Sequence, residues 1–180
     1  MNRLSTKKIV LNGLLIALVF LTTIFTRVPG PIPPGYINFG DTVIIVAAVL
    51  LGRHSGLLAG AIGSFIADMA VGAYIFAPIT LVVKGIEGYV IGAVARPNQE
   101  SEPKEFVKIA AMVIGAAVMV FGYFFAELYL LKFFDSTFGY TAAIAELPMN
   151  LVQGGVSVVL GYVLSSLLVK VNIKRYIANH

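Results

Sequence analysis

Residues 8–52 contain two apolar runs on either side of a proline-rich loop, KIVLNGLLIALVFLTTIFT (8–26), RVPGPIPPGYINFG (27–40) and DTVIIVAAVLLG (41–52). A membrane-spanning helix needs about 20 mostly apolar residues, and the first run has that length. The second run is short for a crossing, so we expect it to begin in the loop or to lie partly inside a helical bundle. This stretch predicts a membrane protein and not a soluble domain.

The rest of the chain repeats the apolar pattern in residues 55–71, 78–95, 106–131 and 145–169. Hydrophobic residues make up 58% of the 180 residues and charged residues 12%, whereas soluble domains average roughly 45–50% and about 25%. We therefore predict an all-α membrane protein, a bundle of six transmembrane helices forming a single domain over residues 1–180. Since five apolar runs follow the first and no A-x-A cleavage site closes it, we interpret the first run as an uncleaved span.

Lysine and arginine are distributed unevenly between the two sides of this bundle. With six spans, one side holds both termini, the 2–3 turn and the 4–5 loop, and it collects Arg3, Lys7, Lys8, Arg53, Arg96, Lys104, Lys108, Lys170, Lys174 and Arg175. The other side has only Arg27 and Lys132, with Lys84 inside the fourth span. Basic residues favour the cytoplasmic side, so we predict that both termini are cytoplasmic and that the proline loop faces outward.

The outer loop between the first two spans, residues 27–40, holds four of the eight prolines in the chain. Proline fixes one backbone angle and removes an N–H donor, so we expect neither a helix nor a regular strand there. We predict instead a structured Pro/Gly-rich loop whose limited freedom lowers the entropic cost of closing over a ligand.

Ionisable residues inside or at the ends of the spans are the most informative functional feature. At the bilayer centre each costs about 2.5–3.5 kcal/mol on insertion scales, so each needs a reason. They are Asp41, Asp68, Lys84, Glu87, Glu127 and Glu146. By the predicted topology all of them lie in the outer half of the membrane. This distribution predicts a polar pocket that opens outward beneath the proline loop.

Helical periodicity places further polar groups beside these charges. Glu146, Asn150 and Gln153 share one face of the last span at spacing i, i+4, i+7. Donors, acceptors, both charges and an aromatic ring would suit a small polar heteroaromatic molecule. We predict a substrate-binding set taken from the loop and the last three spans, namely Tyr36, Asn38, Lys84, Tyr123, Glu127, Glu146, Asn150 and Gln153.

Several charged residues also have a purely structural interpretation. Lys84 can form a buried ion pair, for which we expect Glu87 to be the partner. Asp41 begins the second span, where a carboxylate accepts backbone N–H bonds, and we favour a capping role there. Glu146 lies at the predicted start of the last span, so capping competes with ligand binding at that position also.

Other polar groups in the spans leave the two interpretations open. Asp68 can bind ligand, or it can form a packing hydrogen bond with Ser64. Asn150 and Gln153 lie deeper in an apolar helix, where a cap is not needed. We therefore favour ligand contact over structure for Asn150.

Motifs for catalysis and for ATP binding are absent from the sequence. It contains no G-x-x-x-x-G-K-[ST], H-E-x-x-H or G-x-S-x-G and no cysteine, and its histidines, His54 and His180, lie at the predicted cytoplasmic edge. We therefore predict no catalytic residue, metal or cofactor, no enzyme activity and no nucleic-acid partner. A stand-alone secondary transporter or channel remains the alternative, although the inner halves of the spans carry few ionisable groups for a polar path.

Small residues recur at four-residue spacing in three spans, where they allow close approach of helix backbones. We interpret the rows Gly52, Gly56 and Gly60 and then Gly88 and Gly92 as internal packing. Gly13 and Ala17 differ, because the other residues of the first span are bulky and apolar. We predict that this pair forms a docking seam for another membrane protein.

The chain resembles the substrate-binding S components of energy-coupling factor (ECF) transporters over nearly its whole length. The most specific stretches are GPIPPGYINFGDTVIIVAAVLLG (30–52) and HSGLLAGAIGSFIAD (54–68). The resemblance implies capture of a vitamin or precursor from outside, with the first outer loop as lid and helices 4 to 6 as pocket walls. It favours hydroxymethylpyrimidine or pyridoxine, with riboflavin next.

The same resemblance implies partners and a location. S components associate with a transmembrane T subunit and two ATP-binding cassette (ABC) ATPases, which would supply the ATP hydrolysis. The family places an A-x-x-x-A pair on the first helix for the T subunit, and here Gly13 and Ala17 occupy the corresponding positions. The resemblance also implies a multi-pass protein of the cell membrane, specifically a bacterial plasma membrane.

Overall fold

A computed structural model describes residues 6–97 and 103–171 of the chain. Arg3, Lys174, Arg175 and His180 lie outside the described residues, as do residues 98–102 of the polar 4–5 loop. Helices make up most of the described part: α1 Thr6–Phe25, α2 Gly40–Leu51, α3 Arg53–Val71, α4 Ala77–Ala95, α5 Glu105–Phe133 and α6 Tyr140–Lys170. The prediction of a helical membrane protein is confirmed, since five of these helices are long and apolar enough to cross a bilayer.

The short helix α2 lies in the middle of the bundle. It has 12 residues, and all of them except Val43 and Leu51 are buried. It packs against α1, α3, α4 and α6. A helix that is apolar all round is stable only when it is covered all round, which explains why α2 occupies the centre. Because α2 is short, the number of complete crossings stays a prediction.

Helices α3 and α4 approach each other closely along their glycines. A Cβ atom on Gly60 would overlap the Lys84 carbonyl oxygen, and one on Gly56 would overlap the Gly88 carbonyl oxygen. The interpretation of these rows as internal packing is therefore confirmed. The contact holds the backbone of Lys84 directly against α3.

The proline loop contains a short β-hairpin, so the expectation of no strand there was wrong. Strands β1 (Val28–Pro29) and β2 (Tyr36–Ile37) pair antiparallel, with Val28 opposite Ile37 and Pro29 opposite Tyr36. Two further backbone bonds, from Gly30 N to Gly35 O (2.9 Å) and from Gly35 N to Ile32 O (2.8 Å), close the turn. Such short strands need few N–H donors, and proline is tolerated at their ends.

Helix α6 begins at Tyr140, earlier than the predicted start at residue 145. The helix continues through Pro148, where the missing N–H and the ring affect only the preceding turn. Glu146 therefore lies inside the helix, and the capping interpretation for it was wrong. Helix α5 contains a π-helical segment, Ala126–Leu130, that includes Glu127.

The two ends of the bundle differ in chemistry. The end near the 2–3 turn is filled by an apolar cluster from α2, α4 and α5: Ile45, Ala48, Val49, Ile91, Ala95, Ala111 and Met112. The opposite end lies beneath the hairpin and contains the buried carboxyl groups. The fold thus places an apolar core below a polar site.

Candidate substrate-binding site

All eight predicted substrate-binding residues line one cavity beneath the hairpin. Its wall consists of Tyr36, Asn38, Lys84, Tyr123, Glu127, Glu146, Asn150 and Gln153, together with Thr23, Gly35, Ser64, Asp68, Phe76 and Thr80. The cavity volume is about 40 Å³, and one water molecule occupies roughly 10–15 Å³ on this measure. A ligand larger than a few waters would therefore require the cavity to widen.

A buried ion cluster lies beneath the cavity and reaches its wall through Lys84. Lys84 Nζ donates to Asp41 Oδ1 and lies 3.5 Å from Glu87 Oε2, and all three side chains are at most 2% exposed. Gln153 Nε2 donates to Asp41 Oδ2 at 2.6 Å. Asp41 is therefore the closest partner of Lys84, whereas Glu87 was expected, because the lysine reaches from α4 across to the central helix α2.

Asn38 performs the capping role that was expected of Asp41. Its side-chain oxygen accepts a bond from Gly40 N at 2.8 Å and lies 3.3 Å from the donor Thr23 Oγ1. Its backbone N–H donates to Gln153 Oε1 at 2.8 Å. The capping interpretation for Asp41 was therefore wrong, since its carboxylate bonds to Lys84 and Gln153. Asn38 and Gln153 together tie the hairpin to α2 and α6.

Tyr36 fixes the hairpin to α3. Its hydroxyl donates to Asp68 Oδ1, so the structural partner of Asp68 is Tyr36 and not Ser64, which was one of the two interpretations left open. Burial raises the pKa of the Tyr36 phenol, and the neighbouring Asp68 carboxylate raises it further, so the phenol keeps its proton and donates. The Arg27 guanidinium lies 5.6 Å from the centre of the Tyr36 ring.

Tyr123 and Phe76 form an aromatic wall. The Tyr123 hydroxyl donates to Thr80 Oγ1 at 2.9 Å, and the Lys84 ammonium lies 5.4 Å from the centre of the Tyr123 ring. The two ring centroids are 6.5 Å apart. Aromatic faces next to fixed polar groups are typical of sites that bind small ring compounds.

Glu127, Glu146 and Asn150 line the cavity from α5 and α6. Glu146 Oε1 accepts a bond from the hairpin at Ile32 N (3.0 Å). Glu127 is 2% exposed, and its Oε2 has no hydrogen-bond partner among residues 6–97 and 103–171. A buried carboxylate oxygen without a donor is costly, so this position is suited to a ligand donor.

Sequence reasoning missed contributions to the cavity from α1 and α3. Thr23 and Ser64 come from these helices, whereas helices 4 to 6 were expected to form the pocket walls. Asp68 of α3 also lines the cavity, and it was among the six ionisable residues that predicted the polar pocket. The polar pair Thr22-Thr23 near the outer end of an apolar helix was an available signal for α1. Phe76 was missed because an aromatic residue between two spans has no distinctive pattern.

Gly13 and Ala17 lie on the outside of the bundle. Both are exposed on α1, and a Cβ atom on Gly13 would meet no atom within 4 Å. Neither residue lines the cavity. They are thus available to a partner, and docking at this seam stays a prediction.

Fold and site together define a multi-pass membrane protein with a polar binding cavity at one end of a helical bundle. Residues 3–170 match the family described as ECF-type riboflavin transporter, S component, and the chain belongs to this family. Membership implies a small vitamin-like substrate and, in general, ECF T and ATPase partners.

Two curated relatives cover most of the chain. A protein of Pyrococcus woesei, "Uncharacterized protein in gap 3'region", is 35% identical over 153 residues, which are 84% of this chain and 95% of the relative. The "Thiamine precursor transporter HmpT" of Lactococcus lactis subsp. cremoris is 28% identical over 174 residues, 96% of this chain and 94% of the relative.

Proposed function

We propose that this chain captures a small heteroaromatic vitamin precursor from outside the cell and delivers it to a T subunit driven by two ABC ATPases. Hydroxymethylpyrimidine or pyridoxine is favoured, with riboflavin next. The observation that carries the proposal is the cavity in which Glu127, Asn150 and the Tyr123 ring converge under the hairpin. The name of the Lactococcus relative supports a thiamine precursor.

The predicted orientation also supports capture from outside. Arg53, Arg96 and Lys108 lie near the apolar end of the bundle, whereas the cavity lies at the end with the hairpin. Basic residues favour the cytoplasmic side. The cavity would then face outward, in the plasma membrane of a bacterium.

The core below the cavity argues against a stand-alone channel or secondary transporter. Ile45, Ala48 and Val49 of α2 pack there against Ile91 and Met112. A polar solute would have to displace this close-packed layer to reach the other side. Delivery would therefore need a partner that moves or reorients the bundle.

A binding titration tests this function. The purified chain in detergent should bind one of hydroxymethylpyrimidine, pyridoxine or riboflavin at a single saturable site without ATP, because the cavity is built from its own residues. Isothermal titration calorimetry measures the affinity. If none of these compounds and none of the other B vitamins gave a heat of binding, the result would contradict the proposal.

Two buried asparagines provide a matched pair of variants for this titration. Asn150 lines the cavity, and Asn12 of α1 is buried outside it. Asn150→Leu should weaken binding by roughly 10-fold or more, the size of a lost hydrogen bond in a buried site. Asn12→Leu should leave the affinity unchanged.

Uptake into proteoliposomes that occurs without ATPase partners would instead favour a secondary transporter.

Closure of the hairpin is a separate prediction. The sequence has no cysteine, so a single Val28→Cys carries one spin label in the hairpin without background. Electron paramagnetic resonance should report lower label mobility when ligand binds, because the hairpin closes on it. A label at Phe134→Cys, exposed in the 5–6 loop, serves as the control and should not change. Equal mobility of the Val28 label with and without ligand would remove the lid interpretation.

A further inference from the structure

The turn of the hairpin, residues 30–35, begins and ends with glycines that lie against one carboxyl group of α6. The backbone bond from Gly30 N to Gly35 O joins the two glycines across the turn. A Cβ atom on Gly30 would lie 2.8 Å from both carboxyl oxygens of Glu146, and one on Gly35 would lie 2.9 Å from Oε1. Real Cβ atoms do not approach other atoms this closely. The Glu146 carboxyl group therefore fills the space that the two missing side chains leave open.

A hydrogen bond fixes the same carboxyl group to the turn. Glu146 Oε1 accepts it from Ile32 N, which lies between the two glycines in the sequence. In the described part of the chain, no other hydrogen bond joins residues 30–35 to a helix. The Ile32 side chain adds an apolar contact, because it packs against a cluster that includes Phe76 and Leu131. Glu146 thus provides the polar attachment of the turn.

The strand that follows the turn is attached more firmly. Asn38 N and Phe39 N donate to side chains of α6 and α1 at 2.8 and 2.9 Å, and the Tyr36 hydroxyl donates to a carboxylate of α3. Three helices therefore hold residues 36–39. The turn can leave the bundle with fewer hydrogen bonds broken than this strand, so the turn is the part of the hairpin that is free to open.

We propose that Glu146 is a positioning residue that latches the turn of the hairpin over the cavity, and that it is not a ligand contact. Its side chain lines the cavity, but both carboxyl oxygens face Gly30 of the turn. Release of the bond from Ile32 N would let the turn swing about residues 36–39 and widen the cavity. This inference rests on the proposed function, because it assigns how that binding site opens and closes.

Substitutions of Glu146 test the latch in the absence of any ligand. A single Pro31→Cys, exposed in the turn of a chain without cysteine, carries a spin label for electron paramagnetic resonance. Glu146→Ala removes the acceptor of the Ile32 N–H bond, so the mobility of the label should rise. Glu146→Gln offers an amide oxygen in its place and should keep the wild-type mobility. Glu127→Ala removes a carboxyl group from the same cavity wall and should leave the mobility unchanged.

A substitution in the hairpin tests the same contact from the other side. Gly30 does not line the cavity, and the three atoms nearest to a methyl group there all belong to Glu146. Gly30→Ala should therefore push the carboxyl group away and raise the mobility of the label. In the Glu146→Ala background it should add nothing, because the shorter side chain leaves room; such non-additivity identifies a direct contact. Gly155→Ala, on α6 with open space around it, is the control.

Ligand kinetics test the consequence for binding. The probe is radiolabelled hydroxymethylpyrimidine, pyridoxine or riboflavin, whichever the titration shows to bind, chased with the unlabelled compound. Loss of the latch in Glu146→Ala should speed dissociation by roughly 10-fold, the size of one lost hydrogen bond. Glu146→Gln should dissociate the compound at a rate close to that of the wild type, because the bond from Ile32 N needs an acceptor oxygen and not a charge.

The outcomes separate a latch from a ligand contact. A turn label that is equally mobile in the wild type, Glu146→Ala and Gly30→Ala would overturn the inference. So would a Glu146→Gln protein that loses binding while its turn keeps the wild-type mobility. If Glu146→Ala does not fold, as judged by thermal unfolding, Gly30→Ala and its control decide. Failure of the wild-type protein to bind any of the three compounds would overturn the proposed function, whereas the ligand-free mobility still decides whether Glu146 holds the turn.

Discussion

Replacing Lys84 with methionine is expected to destabilise the protein by about 3–5 kcal/mol, the usual cost of removing one partner from a buried ion pair. Asp41 and Glu87 are each 1% exposed, and both lose their cation in this variant. The ammonium near the Tyr123 ring is lost as well. Unfolding in detergent by heat or denaturant, followed by circular dichroism, measures the effect, and calorimetry should find that ligand affinity also falls.

Lys132→Met is the matched control for this substitution. Lys132 is exposed in the outer part of α5, and its ammonium lies over the surface ring of Tyr129. Its removal should change the stability by less than about 0.5 kcal/mol, as is usual for surface substitutions. A Lys84→Met protein that unfolds at the wild-type temperature would mean that the ion cluster does not stabilise the bundle.

The double substitution Gly13→Leu with Ala17→Leu should abolish ATP-driven uptake while leaving ligand affinity unchanged. Both residues are exposed on α1 and outside the cavity, so added side chains meet no atoms of this chain near Gly13. They would, however, keep a partner helix from close backbone approach. Uptake of radiolabelled ligand by the reconstituted complex, together with co-purification of the T subunit, measures the effect.

Two glycines provide controls for this experiment. Gly155 of α6 also has open space around it, so Gly155→Leu should leave uptake and binding unchanged if docking uses α1. Gly60→Leu should instead prevent folding, because a side chain there overlaps the backbone of α4. If the double variant loses ligand binding but still assembles with the T subunit, α1 is an internal packing element and the docking assignment is wrong.

The sequence alone determined the class of protein and eight residues of the cavity wall. Long apolar runs can satisfy their backbone polar groups in a bilayer only as helices, so the helical bundle followed from composition. Helical periodicity placed Glu146, Asn150 and Gln153 on one face, and these three residues do line one cavity. Their binding role remains a prediction, because shared position does not identify a ligand.

The partner of each polar group was decided only by the tertiary structure. Lys84 was expected to bond Glu87, its neighbour at i+3, but the central position of α2 brings Asp41 closer. Asp68 likewise contacts Tyr36 of the hairpin and not Ser64 of its own helix. Spacing along one helix reports only local neighbours, whereas contacts between helices depend on how the whole bundle packs.

The hairpin and the start of α6 were also beyond local patterns. Proline generally disfavours strands and helix interiors. Pairing of Val28 with Ile37 overrides this preference in the hairpin, and packing of α6 against α2 and α5 overrides it at Pro148. Composition and periodicity therefore determined which residues face a polar site in the membrane. Packing between distant segments decided which donors the carboxyl groups meet, and within residues 6–97 and 103–171 it leaves Asp68 Oδ2 and Glu127 Oε2 without a hydrogen-bond donor.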